Sequence, residues 1–450
     1  MVKKHSGMNG QGSRFNRRAV RVEEAQRRVL EAAAGQVVGS ELVALHESGG
    51  RRLAQTVTAS SDWPPFARSG LDGYAVRAAD IAEASPEKPA ELRVVYEVAA
   101  GQVAPAALQA GTAARIMTGA AVPEGADAVV MLEQTAEAML AYGSRAVLIK
   151  RAGAAGQHIA PCGEEFRRGG VLAVPGTLVR PGHVALLGTF GYAEVAVRKR
   201  PRIAVFATGS ELLAVAAQLA PGRVRDSNSS MVAAMVHQSG AEPLLLGALP
   251  DELAAVEAAL AEAWESSDII VTTGGVSVGD YDVMAELIRA FKDGSGVRTK
   301  VQLSSLQSAA ERPASRLLFD KVAMRPGSPT SAAVIDGKLL FALSGNPGAC
   351  FVGFELFVRP AIHLLLGVRE ALPTVVRARL LTAVEKPSPH DRFVRARLVI
   401  GENGMLSADP LAFAKSSMMA SIAEAEGLVI IPAGSKGAEV GEAVDVILIP

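Results

Sequence analysis

The residues whose types and spacing suit chemistry gather most densely in Val271 to Asp282, VTTGGVSVGDYD. An apolar run, Asp268-Ile269-Ile270-Val271, meets a Thr/Gly corner and then two acids, Asp280 and Asp282, ahead of a helical pattern. Gly274, Gly275 and Gly279 permit positive φ and close approach of a ligand to the main chain. A helix starting near Asp280 or Tyr281 presents unpaired N–H groups to negative charge. Phosphate is the natural guest of such a corner, and Asp280 and Asp282 suit a hard divalent cation such as Mg²⁺, which bridges carboxylates to substrate phosphates. The competing assignment is a tight glycine turn with Asp280 as a helix cap.

Ligands of open α/β sheets bind beyond the carboxyl ends of the strands. Two more apolar runs end in the same texture: Ile203 to Ala207 precedes Thr208-Gly209-Ser210-Glu211, and Phe341 to Leu343 precedes Ser344-Gly345-Asn346-Pro347. With Thr272 to Ser277, all three are small, polar and able to donate main-chain N–H groups, and one fold would bring them to one sheet edge as a site for a phosphate-bearing ligand. Glu211 either coordinates metal and orients a ligand or complements a helix dipole as a first-turn acid. Asp251 follows Leu249-Pro250 at the start of a helical pattern, where an N-cap carboxylate is expected. Lys321, with Arg325 and Gly327, is either a solvated cation or a partner for phosphate or an oxyanion. Asp72 and Thr118 lie in the turn sequences LDGYA and RIMTGA, which suit turn formation and local hydrogen bonding. No Ser/His/Asp or Cys/His pattern compels a nucleophilic mechanism, and Cys162 and Cys350 read as small apolar fillers.

The elements that must position these groups change character along the chain. Val22 to Ala34 is spaced as a helix stopped by Gly35, and Ser48 to Gln55 reads as a second helix. Asp62 to Tyr74 is turn-rich, with Asp72-Gly73 as a hairpin-type turn. Leu92 to Val98, Thr112 to Met117, Ala128 to Leu132 and Ala146 to Lys150 read as strands. Val171 to Val174, Arg180 to Gly188 and Ala193 to Val197 then read as strand, helix and strand that return to the N-terminal helices. From Arg202 strands and helices alternate: strands at Ile203 to Ala207, Pro243 to Gly247, Asp268 to Thr272 and Leu339 to Leu343, helices near Ser229 to Ser239, Glu252 to Trp264, Val283 to Phe291 and Ala349 to Leu366. Lys292 to Ala314 is a polar surface excursion. Val375 to Val384, Phe393 to Ile400, Gly427 to Ile431 and Val444 to Ile449 read as strands of a small barrel or sandwich.

The expected architecture is therefore multi-domain α/β plus β. It comprises a mobile tail (1–20), segments 21–60 and 156–200 whose association would make a discontinuous N-terminal domain and the β-rich domain (61–155) an insertion, a doubly wound α/β domain with a mostly parallel sheet (201–370) and a C-terminal β-barrel-like domain (371–450). A length of 450 residues calls for several cores. Forty-six basic and 46 acidic side chains cancel, giving no sign of a nucleic-acid partner or an anionic membrane. Two widely separated cysteines suit a reducing compartment, so a cytoplasmic protein is expected. The most apolar span, Cys350 to Leu366, contains Glu355, Arg359, Pro360 and His363, which argues against a membrane crossing.

Taken together, DGYAV at 72–76, RIMTGAAVPEGADAVVMLE at 115–133, FATGSEL at 206–212, TTGGVSVGDYD at 272–282, KVAMRPG at 321–327 and LSGNPGA at 343–349 resemble the molybdopterin molybdenumtransferases (molybdenum insertases), relatives of the gephyrin E domain. The resemblance runs from about Val22 to Pro450. It implies a molybdopterin-binding α/β domain and an elongated homodimer whose cleft joins the α/β domain of one subunit to the inserted domain of the other. It further implies a reaction in which molybdenum from molybdate enters adenylylated molybdopterin, Mg²⁺ assists and AMP departs.

Carried over motif by motif, Asp72, Thr118, Glu211, Asp251 and Asp282 match the functional residues, with Glu211, Asp251 and Asp282 as candidate metal ligands. Thr208, Gly209, Gly274, Gly275, Ser277, Gly279, Lys321, Arg325, Ser344, Gly345, Asn346 and Pro347 match the substrate-binding loops. A molybdopterin adenylyltransferase and recipient molybdoenzymes are the implied partners. Two departures stand out: Ser328 occupies the lysine position of the Pro-Gly-Lys-Pro segment, and Gly156 to Glu165 lacks arginines common there. They leave open a pterin carrier or scaffold without insertion activity, or a molybdopterin adenylyltransferase.

Overall fold

Ile203 to Ala207, Ile269 to Val271 and Leu339 to Leu343 place apolar side chains at successive positions, the pattern of strands covered on both faces. The computed structural model describes residues 19–140, 143–249, 252–275, 315–402, 404–411 and 417–450. In it these runs are adjacent parallel strands, Arg202–Ala207, Ile269–Thr273 and Lys338–Leu343, with Glu242–Ala248 parallel on the outer side of the first. The register sets Ala207 opposite Thr273 and Thr273 opposite Leu343, so the three strands exit level with one another.

Alternate side chains feed two cores. Ile203, Val205, Ile269, Val271, Leu339 and Phe341 pack with the helices Val22–Ala33 and Asn228–Gln238 and with the helical run from Pro347 to Leu365. Ala204, Phe206, Ile270, Leu340 and Ala342 meet Val256, Leu260, Ala263 and Trp264 of the helix Leu253–Ser266. The result is the doubly wound α/β arrangement. Its far edge corrects the expectation: Arg316–Phe319 and Ser331–Ile335, unforeseen as strands, extend the sheet in antiparallel sense. The helix expected at 283–291, the excursion at 292–314 and residues 1–18 of the tail lie outside the described residues. Val20 is anchored, exchanging backbone hydrogen bonds with Lys321 and Ala323.

The run Pro347–Leu365 is apolar because it is the central core helix, not because it meets lipid: 89% of its most apolar window is buried inside the fold. It combines an α-helix, a π-helical turn at Phe354–Val358 and a second α-helix, Arg359–Leu365. Inside the core Glu355 and Arg359 form a bidentate pair at 2.6 and 2.7 Å, while Arg359 also donates to Ser239 Oγ at 2.7 Å and Gln238 Oε1 at 2.9 Å. Burying two charges is tolerated because each finds its partner and its remaining hydrogen bonds.

His363, one turn on, is enclosed near Arg52 and Arg359. Burial, then the charges of those two arginines, push its pKa from the ordinary 6.5 down to about 4. The unfolded chain takes a proton near 6.5 that the folded chain refuses until about 4, so this contribution to stability is complete above pH 6.5 and declines as pH falls towards 4. Urea titrations at pH 7.5 and pH 5 are expected to differ by about 2 kcal/mol from this group, a difference that His363→Leu removes.

The segments flanking the inserted region pair with each other: Ser40–Ala44 with Glu194–Arg198, and Val57–Thr58 with Val171–Ala173, beside the helix Pro181–Thr189. The helix expected at Ser48 to Gln55 does not form. Arg52 and Leu53 instead bridge to Leu178 and Val197, because tertiary pairing outweighs a short, weak helical pattern. The inserted region is a curled six-stranded sheet in the order 128–131, 73–76, 112–116, 90–98, 145–149 and 135–139, with apolar clusters on both faces. Its second strand, Gly73–Val76, replaces the expected hairpin turn. A side chain at Gly73 would collide with the Val130 carbonyl, so glycine is what lets these strands approach. At the C-terminal end Asp391–Ile400, Leu406–Pro410, Val375–Leu380, Ala443–Leu448 and Gly427–Ile431 form a closed barrel, sealed by pairing of the first with the last.

Candidate active site

The level strand exits place the three loops against one another. Thr208 N donates to Thr273 O at 2.9 Å, and Gly274 N donates to Leu343 O at 2.9 Å. A Cβ on Gly274, whose φ is +91°, would lie 2.5 Å from Thr208 O and 2.7 Å from Thr208 Oγ1. One on Gly345 would lie 3.4 Å from Gly274 Cα. Glycine is therefore required at 274, where the loops close, while the approach at Gly345 is an ordinary van der Waals contact. Gly275 also has positive φ, +67°. The Glu211 carboxylate folds back over Gly209, where a Cβ would stand 2.6 Å from Oε2. Its loop is braced by Arg223, which donates to Ser210 O, and by pairing of Leu212–Leu213 with Val224–Arg225. Asn346 is the N-cap and Pro347 the first residue of the core helix, so that helix starts at the same edge.

Of the residues singled out from sequence, Thr208, Gly209, Glu211, Gly274, Gly275, Ser344, Gly345, Asn346 and Pro347 thus share one edge. Asp251, Ser277, Gly279, Asp280 and Asp282 lie outside the described residues. Among the described residues no group of three or more His, Cys, Asp or Glu gathers as a metal cluster.

Sequence reasoning missed Asp226, Asn228 and Ser229. Asn228 Nδ2 donates to Gly345 O at 2.8 Å, and Asp226 Oδ1 accepts from Ser229 N at 3.0 Å. Among the described residues, buried Asn228 Oδ1, Ser229 Oγ and the hydroxyls of Thr272 and Thr273 have no hydrogen-bond partner. The signal was present in Asp226-Ser227-Asn228-Ser229, a string of capping residues directly ahead of an apolar helical pattern. Asp226 also lies near Cys350, whose thiol pKa is pushed up by burial first and by this carboxylate second.

Cations gather near the 325–328 turn. A Cβ on Gly327 would lie 3.2 Å from Ala349 O, so the 325–328 turn rests on the first turn of the core helix. Arg325 is exposed and stands in register with Arg392 of the barrel. Burial and then the charge of Arg325 lower the pKa of Arg392, which donates to the carbonyls of Glu385 and Lys386 at 3.0 and 2.8 Å. Lys321 is half-buried, its carbonyl accepting from Val20 N at 3.0 Å. Ser328 spends its hydroxyl on Val322 O at 2.7 Å and closes its own turn.

Asp72 and Thr118 form a second, exposed group. Asp72 Oδ1 accepts from Thr118 N at 2.7 Å and from Thr118 Oγ1 at 3.0 Å. These bonds, the backbone one foremost, hold the carboxyl below its ordinary range, so it stays ionised. Both bonds stay within the inserted sheet.

Comparison with known proteins agrees with this layout. Residues 20–191 match the family described as MoeA N-terminal region (domain I and II), 204–364 a probable molybdopterin binding domain, and 377–449 the MoeA C-terminal region (domain IV). The crystal structure of the molybdopterin biosynthesis moeA protein from Pyrococcus horikoshii OT3 superposes with a TM-score of 0.78 at 29% identity, covering 96% of this chain and 100% of that one. The molybdopterin molybdenumtransferase of Staphylococcus aureus (strain COL) is 39% identical over 96% of both chains. That of Bacillus subtilis (strain 168) is 44% identical over 96% of this chain and 95% of its own. At that identity over nearly the whole length of both proteins, the chain belongs to the molybdopterin molybdenumtransferase family.

Proposed function

We propose that this enzyme of molybdenum cofactor biosynthesis transfers molybdenum from molybdate into adenylylated molybdopterin and releases AMP. The observation that carries the assignment is the seam of Thr208, Gly274 and Gly345 beside the start of the core helix. There, three strand-to-helix loops close against one another beside a helix that begins at the same sheet edge.

The loop at Gly275 and the start of the core helix at Asn346 and Pro347 bind the phosphates, and Asn228, held on Gly345 O, presents its carbonyl oxygen, unpartnered among the described residues, to a donor group of the pterin. Arg325, Arg392 and Lys321 draw anionic molybdate to the flank where the family's lysine is replaced by Ser328. Among the described residues the candidate metal donors at this edge are oxygens, in the carboxylates of Glu211 and Asp226 and the hydroxyls of Thr272 and Thr273, which fits Mg²⁺. Glu211, with Asp251 and Asp282, would hold that ion; when bound it neutralises charge on the pyrophosphate link. Asp72, fixed and ionised by Thr118, is assigned to act from the inserted region of a second subunit, as the family resemblance implies. The same assignment makes the protein a cytoplasmic homodimer, supplied by a molybdopterin adenylyltransferase and delivering to molybdoenzymes.

Purified protein given adenylylated molybdopterin, molybdate and Mg²⁺ is expected to form AMP. Retention of the pterin without AMP would make it a carrier, and ATP-dependent adenylylation of molybdopterin would make it an adenylyltransferase; either result defeats the proposal.

A further inference from the structure

Arg68 is a cation that the active-site assignment leaves unused. It lies on the short strand Arg68–Ser69, between Ile159–Ala160 on one side and the backbone of Gly119 to Val122 on the other. Ser69 exchanges hydrogen bonds with Gly119 and Ala120, at 2.8 and 2.9 Å, so Arg68 flanks the loop that begins with Thr118 and holds Asp72. Its guanidinium is held over the Trp63 ring, 5.6 Å from the centroid. Among the described residues it has no hydrogen bond and no carboxylate partner. A half-buried arginine is ordinarily paired; this one is stacked, oriented and left with five free donors.

The residue directly opposite Arg68 in the antiparallel pair is Ala160. Paired residues in such a ladder project from the same face. Ala160 lies in the Gly156 to Glu165 segment that is empty of arginine. Arg68 therefore offers a cation on the face to which this arginine-free segment contributes none.

We propose that Arg68 is the cation with which the inserted region positions the phosphate groups of the substrate, from a face on which an arginine at 160 would project equally. The assignment rests on the transferase reading above and adds a residue to it. The stack on Trp63 fixes the fork before the substrate arrives, so little side-chain entropy is lost when two N–H groups meet phosphate oxygens.

The test compares the wild type, Arg68→Ala, Arg68→Lys and the double variant Arg68→Ala/Ala160→Arg. AMP release and the binding of inorganic pyrophosphate by calorimetry are measured for each. Arg68→Ala is expected to raise KM for adenylylated molybdopterin about tenfold with kcat within about twofold, and to weaken pyrophosphate binding by a similar factor. Arg68→Lys should fall between, and the double variant should recover most of the loss. Equal KM and equal pyrophosphate affinity in the wild type and Arg68→Ala would overturn the proposal, as would a folded double variant with no recovery. Were the wild type to release no AMP, the transferase reading would fail while the pyrophosphate comparison still decides the role of Arg68. A wild type that binds no pyrophosphate overturns that role.

Discussion

Glu355→Ala is expected to destabilise the protein by about 3–5 kcal/mol, because it leaves the Arg359 charge buried without its counter-ion. Arg359 keeps only the neutral acceptors Ser239 Oγ and Gln238 Oε1, at 2.7 and 2.9 Å, and the face of Phe354 5.5 Å from the guanidinium. The cost reaches the site, since Gln238 and Ser239 close the helix whose first residue, Asn228, holds Gly345 O. Glu355→Ala/Arg359→Met, which removes both charges, should recover most of the loss, as buried pairs are commonly replaceable by apolar side chains of similar volume. Denaturant titration of the three proteins measures this; a loss below about 1 kcal/mol in the single variant would show that the pair is not sealed in the core.

Gly274→Val is expected to lower kcat/KM for AMP release by about a hundredfold or more, the scale on which a displacement of roughly 1 Å at a reacting centre is felt. At φ +91° any side chain is strained, and its Cβ would meet the Thr208 carbonyl at 2.5 Å, so the loops must part. Gly119→Val is the contrast: it also has positive φ, +80°, but nothing lies within 4 Å of a Cβ there. Steady-state kinetics with melting curves separate the two effects. Wild-type turnover by Gly274→Val would remove the seam from the mechanism.

What could be read from sequence follows what each segment buries. Ile203 to Ala207, Ile269 to Val271 and Leu339 to Leu343 were legible because a strand covered on both faces is apolar throughout, and their exits carried the glycines that the seam requires. Ser331–Ile335 was missed because half of its apolar run, Ala-Ala-Val-Ile, is alanine, a residue depleted in strands. The 73–76 strand was hidden behind Asp72-Gly73, whose turn-like look reflects crowding against Val130 instead. Asn228 acts through Gly345, 117 positions away, a contact that only the folded sheet creates. Ser328 was conspicuous as a missing cation, but that its hydroxyl turns inward to Val322 while Arg392 arrives from the barrel depends on tertiary pairing.

The most direct measurement counts AMP and pterin-bound molybdenum from the same reaction of adenylylated molybdopterin, molybdate and Mg²⁺. If the seam serves molybdenum transfer, the two appear one for one and AMP release depends on molybdate. AMP formed without molybdenum incorporation, or no AMP at all, would contradict it.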